Sequence, residues 1–166
     1  TKELGVAGVV IGCLTADGRI DETRTRALVE AARPLKVTCH RAFDMTADYG
    51  AAIEALVRCG VDRVLTSGQR DTAMAGIDIL KDIQARADGR IVVMACGGLD
   101  ETNIAAIRKA TDVDEMHFAA LHTVPSPMTY RNPHVGMGGT ALKREYEITF
   151  TDVEAVRRTI AAARAA

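Results

Sequence analysis

The feature that most constrains the fold is a rhythm. Five times in succession a short apolar, β-branched run is followed by a stretch with helical spacing. The runs cover residues 6–12, 37–40, 62–66, 90–95 and 113–119, and each reads as a strand. Between them lie helical patterns with recognisable ends. Asp21 is a good N-cap for a helix over 22–33, stopped by Pro34. Thr46 or Asp48 opens a second that carries Ile53, Leu56 and Val57 and ends at Gly60. A third spans 71–87 with Met74, Ile77, Leu80 and Ile83, and a fourth, capped by Asp100, carries Ile104 and Ile107. A Pro/Gly/polar segment, 122–146, breaks the rhythm, and the box Thr151-Asp152-Val153-Glu154 opens a last helix running nearly to Ala166.

Uninterrupted alternation of this kind predicts an α/β fold, a parallel sheet covered by helices. A unit length of roughly 25–30 residues suits a doubly wound sheet or a TIM-type (β/α) barrel. Neither a Walker loop nor a G-x-G-x-x-G turn follows the first run, which weighs against a nucleotide-binding Rossmann domain. Five units are too few to close eight strands. The expectation is a single domain over 1–166, a partial barrel of five consecutive βα units. The opening residues, Thr1 to Gly5, read as the tail of a helix and its glycine stop.

Composition narrows the function classes. Lysine and arginine total 21 against 22 acidic residues, so the net charge of −1 exerts no general pull on nucleic acid or membranes. With no Trp, three Tyr and three Phe, base-stacking platforms are not expected. No apolar run approaches the ~18 residues of a membrane span, and the start lacks a signal-peptide pattern. The four cysteines, Cys13, Cys39, Cys59 and Cys96, form no C-x-x-C pair and no zinc-type spacing. They read as free thiols in a reducing cytoplasm.

The stretch Val37-Thr38-Cys39-His40-Arg41-Ala42-Phe43-Asp44 carries the densest polar chemistry. Strand side chains alternate, so Thr38 and His40 share one face and Val37 and Cys39 the other. In a barrel, His40, Arg41 and Asp44 then sit at the C-terminal strand end, where such folds place their sites. The alternative is a satisfied core His with an Arg–Asp pair tying down a loop, or a polar cluster of His40, Arg41, Asp44 and Ser67 that orders loops.

Together with the Gly12-to-Gly18 turn, the Gly60-to-Gly68 stretch ending Leu-Thr-Ser-Gly, Gly97-Gly98, Glu115-Met116-His117 and the Ser126-to-Asn132 segment, this stretch resembles the copper homeostasis protein CutC family. The resemblance covers nearly the whole chain. It implies a TIM-type barrel of which these residues hold the fourth to eighth strands. It also implies association into a homo-oligomer or with the remaining strands, because two sheet edges and the lumen face are otherwise open.

Copper homeostasis points to Cu(I), which prefers soft thiolate and thioether ligands and accepts imidazole. Cys39 is expected to pack under a helix and Cys59 in the core. The metal-ligand candidates are therefore His40, His117, Cys13 and Cys96, all leaving strands at the C-terminal end. His122 and His134, in the loop-rich segment, have no matching partners. The rival is a barrel enzyme acting on a small phosphorylated or anionic metabolite. It would use His40, Arg41 and Asp44 for catalysis, and Ser67, Gly68, Gly97, Gly98, Arg131 and Asn132 to hold the ligand. A third possibility is a scaffold that uses Met128, Tyr130, Met137 and Tyr146 as an interface.

Overall fold

A computed structural model describes residues 1–136 and 145–165; Met137 lies outside the described residues. The strands β1 (Gly8–Ile11), β2 (Lys36–Cys39), β3 (Arg63–Thr66), β4 (Val92–Ala95) and β5 (Glu115–Met116) form one sheet. Their spatial order is their sequence order, and every pairing is parallel. An order without reversal has no switch point, so the sheet is not doubly wound; it is an arc of a barrel. Helices α1 (Glu22–Ala32), α2 (Tyr49–Cys59), α3 (Ile77–Ala87) and α4 (Ile104–Thr111) alternate with these strands, and α5 (Val153–Arg164) packs on α4.

Register sorts the side chains. Ile11, Cys39, Val64 and Val93 form one cross-strand row facing the helices, where they meet Ile53, Leu56, Leu80, Ile83, Ile104 and Ile107. All but Ile11 are buried. Full burial of each such aliphatic side chain contributes roughly 1.5–3 kcal/mol, so this layer carries the arc. The opposite row, Val10, Thr38, Arg63, Leu65, Val92, Met94 and Glu115, lines the lumen side by alternation. There Arg63 Nη2 reaches across β4 to Glu115 Oε1 at 2.6 Å.

Several elements differ from the sequence expectation. The continuous apolar run 6–12 implies a strand buried on both faces, but β1 is a sheet edge with Val10 63% exposed. The third helix starts at Ile77 rather than 71, because the backbones of Gly68 and Gly76 pack against each other. A Cβ on Gly76 would lie 2.0 Å from the Ser67 carbonyl oxygen, so the chain turns there before it can coil. Asp100 does not cap α4. It accepts from Thr102 N, while Asn103 is the N-cap and braces the loop by donating to the Gly98 carbonyl. The fifth strand is only Glu115–Met116. The segment read as irregular contains β6 (Leu121–Pro125), which pairs antiparallel with β7 (Glu147–Thr151). The last helix is capped by Asp152, not Thr151, through Ala155 N. Among the described residues no helix is long and apolar enough to cross a membrane.

Candidate functional site

At the carboxyl ends of β2 and β3 the polar residues condense on one carboxylate. A 3-10 turn, Arg41–Met45, follows β2 and turns Asp44 inward until its side chain is 6% exposed. Arg41 Nε donates to Asp44 at 2.7 Å, Thr66 Oγ1 at 2.5 Å and Ser67 Oγ at 3.0 Å. The backbone N–H groups of Ser67 and Gln69 donate to it at 3.1 and 3.2 Å. Burial pushes the Asp44 carboxyl up, but the hydrogen bonds from Thr66, Arg41, Ser67 and Gln69 outweigh it and hold the group below the usual carboxylate range. Arg41 Nη2 continues to Ser67 Oγ at 2.6 Å and the Arg70 carbonyl at 3.1 Å. With every lone-pair direction used, Asp44 is arranged to hold two loops together rather than to move a proton.

His40 has a local task. Its Nδ1 accepts from Ala42 N at 3.0 Å and so caps the 3-10 turn. The ring lies over Gly12, where a Cβ would come within 2.3 Å of it. Because Nδ1 is accepting, the ring proton sits on Nε2; ligating a metal through Nε2 would require moving that proton and giving up the cap. The other candidates are scattered around it. Cys96 is 2% exposed, and burial pushes its thiol up to about 11. Cys39 packs under the helices as expected, its thiol pushed up by burial to about 12, and Cys59 is in the core. Cys13 is half-buried.

The open space at the strand ends lies further along the arc. A cleft of about 560 Å³ separates the Gly97-Gly98 turn and the end of β5 from the base of the β6–β7 ribbon and the start of α5. It brings together Gly97, Gly98 and His117, and adds His122, which sequence reasoning set aside. Only the hairpin register places His122 there, directly after the strand start at Leu121, with its ring edge-on to Phe150 at 5.7 Å. The remaining charged walls are Asp100, Glu101, Asp152 and Arg158, an acidic surplus. Gly97, at φ 96, is pressed against Ser67 and the Asp71 carbonyl, so a side chain there would be strained and crowded.

Neither Arg131 nor Asn132 lines this cleft. Arg131 stacks over the Tyr146 ring at 4.3 Å, and Asn132 N donates to the Tyr146 hydroxyl at 2.6 Å. His40 is separated from His117 by two intervening strand ends, roughly 14 Å of sheet. Among the described residues no three His, Cys, Asp or Glu side chains form a group able to hold a metal ion. The sites drawn from the sequence are thus three: a saturated cluster (Arg41, Asp44, Ser67), a cap (His40) and a cleft (Gly97, Gly98, His117).

Sequential parallel strands with an outer helical layer and a cleft at their carboxyl ends define a protein of the TIM-like barrel class. A crystal structure of a Streptococcus agalactiae protein, provisionally described as the copper homeostasis protein CutC, superposes with a TM-score of 0.66 at 30% identity, covering 70% of this chain and 57% of that one. The chain belongs to the CutC family, whose pattern matches residues 1–122. Family protein CutC of Mesorhizobium japonicum is 61% identical over 164 residues, 99% of this chain and 64% of that protein. The human copper homeostasis protein cutC homolog is 42% identical over 163 residues, 98% of this chain and 60% of that protein. The chain thus spans less than two thirds of the length of these relatives.

Proposed function

We propose that this protein serves copper homeostasis in the cytoplasm, with Cu(I) as its cargo, taken at the cleft between β5 and the ribbon. One observation carries the reading: His117 and His122 line the same cleft, beside an acidic surplus. Imidazole suits copper, and a d10 ion can be held by two nitrogen donors. The carboxylates favour a cation there and oppose a phosphorylated ligand. Cys96 contributes poorly, since burial keeps its thiol protonated at neutral pH. The four free cysteines are in keeping with a reducing compartment. Exposed Val6, Val10 and Leu28 along the β1 edge, and Leu121, Val153 and Ile160 at the opposite end, support self-association.

The test is an anaerobic Cu(I) competition titration against a chromophoric chelator, with circular dichroism to confirm folding. Wild type and His40→Ala are expected to compete equally, and His117→Ala/His122→Ala to lose competition. A folded double variant that binds like wild type removes the site from the cleft. A wild type that does not compete removes copper, and brings forward the enzyme acting on a small anionic metabolite.

A further inference from the structure

The ribbon that carries His122 stands off the body of the protein. Its strands pair over five positions, from Leu121↔Thr151 to Pro125↔Glu147, and only Val124 among these ten residues is better than exposed. Neither strand packs closely on any helix or on any other strand among the described residues. A lone two-stranded hairpin gains little stability in water, so its position relative to the body depends on its base. That base is narrow. Asp152 N donates to the Ala120 carbonyl at 3.0 Å, and Ala120 itself is held at φ 47, a left-handed conformation that disfavours any residue with a Cβ. The cleft opens between this base and the strand ends, with Ala120, Leu121 and His122 on one side and Gly97, Gly98 and His117 on the other.

We propose that β6–β7 is a lid, hinged at Ala120 and at Thr151–Asp152, which swings toward the strand ends and closes the cleft over bound ligand. His122 travels with it and approaches His117. The proposal rests on the reading of the cleft as the ligand site. A paired ribbon moves as a unit because its ladder bonds resist internal bending, so the displacement concentrates where the ladder ends. Ile148 and Phe150, on the same ribbon face as His122 and 45% and 42% exposed in the observed arrangement, supply the apolar surface whose burial favours closing. The strain at Ala120 acts in the same direction: it disfavours the observed open position and is relieved when the hinge rotates.

Spin labels carried on noncanonical residues at Glu147 and Lys109 report the ribbon-to-body distance. Without ligand, the distance distribution is expected to be broad or two-peaked. Cu(I) should shift it toward the shorter distance. Ala120→Gly, which frees the observed position of its left-handed penalty, should deplete the short-distance population by roughly fivefold. A single narrow distribution without ligand, unchanged in Ala120→Gly, overturns the lid. If Cu(I) does not bind, the ligand-free distributions of wild type and Ala120→Gly still decide the hinge, and only the copper reading falls. If Cu(I) binds with the ribbon immobile, the cleft stands and the lid does not.

Discussion

Replacing Asp44 with Ala removes the acceptor on which both loops at the ends of β2 and β3 depend. Two backbone N–H groups, of Ser67 and Gln69, lose their partner, and Ser67 is fully buried. Each orphaned buried donor costs about 1–3 kcal/mol. Arg41 is half-exposed and can turn to water, so its loss adds little, and Thr66 Oγ1 still accepts from Gly68 N at 2.9 Å. The expected destabilisation is about 2–4 kcal/mol, the buried Ser67 donor at full cost and the half-buried Gln69 donor at less. Urea unfolding at pH 7 measures it. The pH dependence adds a signature. The native carboxyl lies below its ordinary 3.8, so the unfolded chain binds the proton more readily. The contribution is complete above that value and is lost as pH falls through the native one. The gap in stability between wild type and Asp44→Ala should therefore begin to narrow below about pH 5 and go on narrowing as pH falls through the native value. A loss below ~1 kcal/mol at pH 7, or a gap that does not change with pH, refutes the reasoning that these bonds hold the loops.

Three further outcomes follow from the packing. Gly76→Ala places a Cβ 2.0 Å from the Ser67 carbonyl, backbone that cannot move aside; the loss should be about 3 kcal/mol or more. Calorimetry should show that as a drop in Tm of roughly 6–12 °C. Gly12→Ala drives its Cβ into the His40 ring at 2.3 Å and should cost about 1–2 kcal/mol, whereas Gly12→Ala/His40→Ala should cost less than the sum of the two single changes. An additive cycle in urea denaturation would show that the ring does not lie over Gly12. Among the thiols, Cys13 should react with a thiol reagent at neutral pH in the folded protein. Cys39 and Cys96, pushed up to about 12 and about 11 by burial, should react only on unfolding. Mass spectrometry of the labelled peptides decides it, and rapid labelling of Cys96 would count against the packing at the end of β4.

The parts of this protein legible in its sequence are those governed by neighbours in the chain. Asp21, Asp48 and Gly60 mark helix ends because caps and left-handed stops act within one turn, and all three hold in the structure. Alternation along β2 sent Cys39 to the helices for the same local reason. The Arg41–Asp44 pair was legible too, as an ion pair three residues apart. Ser67 was legible in the same cluster, but the partners Thr66 and Gln69 were not, since they arrive from another strand and its exit.

The misread elements depended on contacts distant in the chain. The late start of α3 is decided by Gly76 meeting Ser67, and the β6–β7 ribbon by pairing across more than twenty residues. Periodicity cannot report a backbone approach or a register set by distant partners. For the same reason the His40–His117 pairing suggested by their strand ends gives way in space to His117 and His122. By itself the sequence determined the α/β class, the number of βα units and the family, because alternation and short motifs are properties of the chain. Which imidazoles share a cleft, and which carboxylate is saturated, only the tertiary structure decided, because each depends on how far the arc turns between strands.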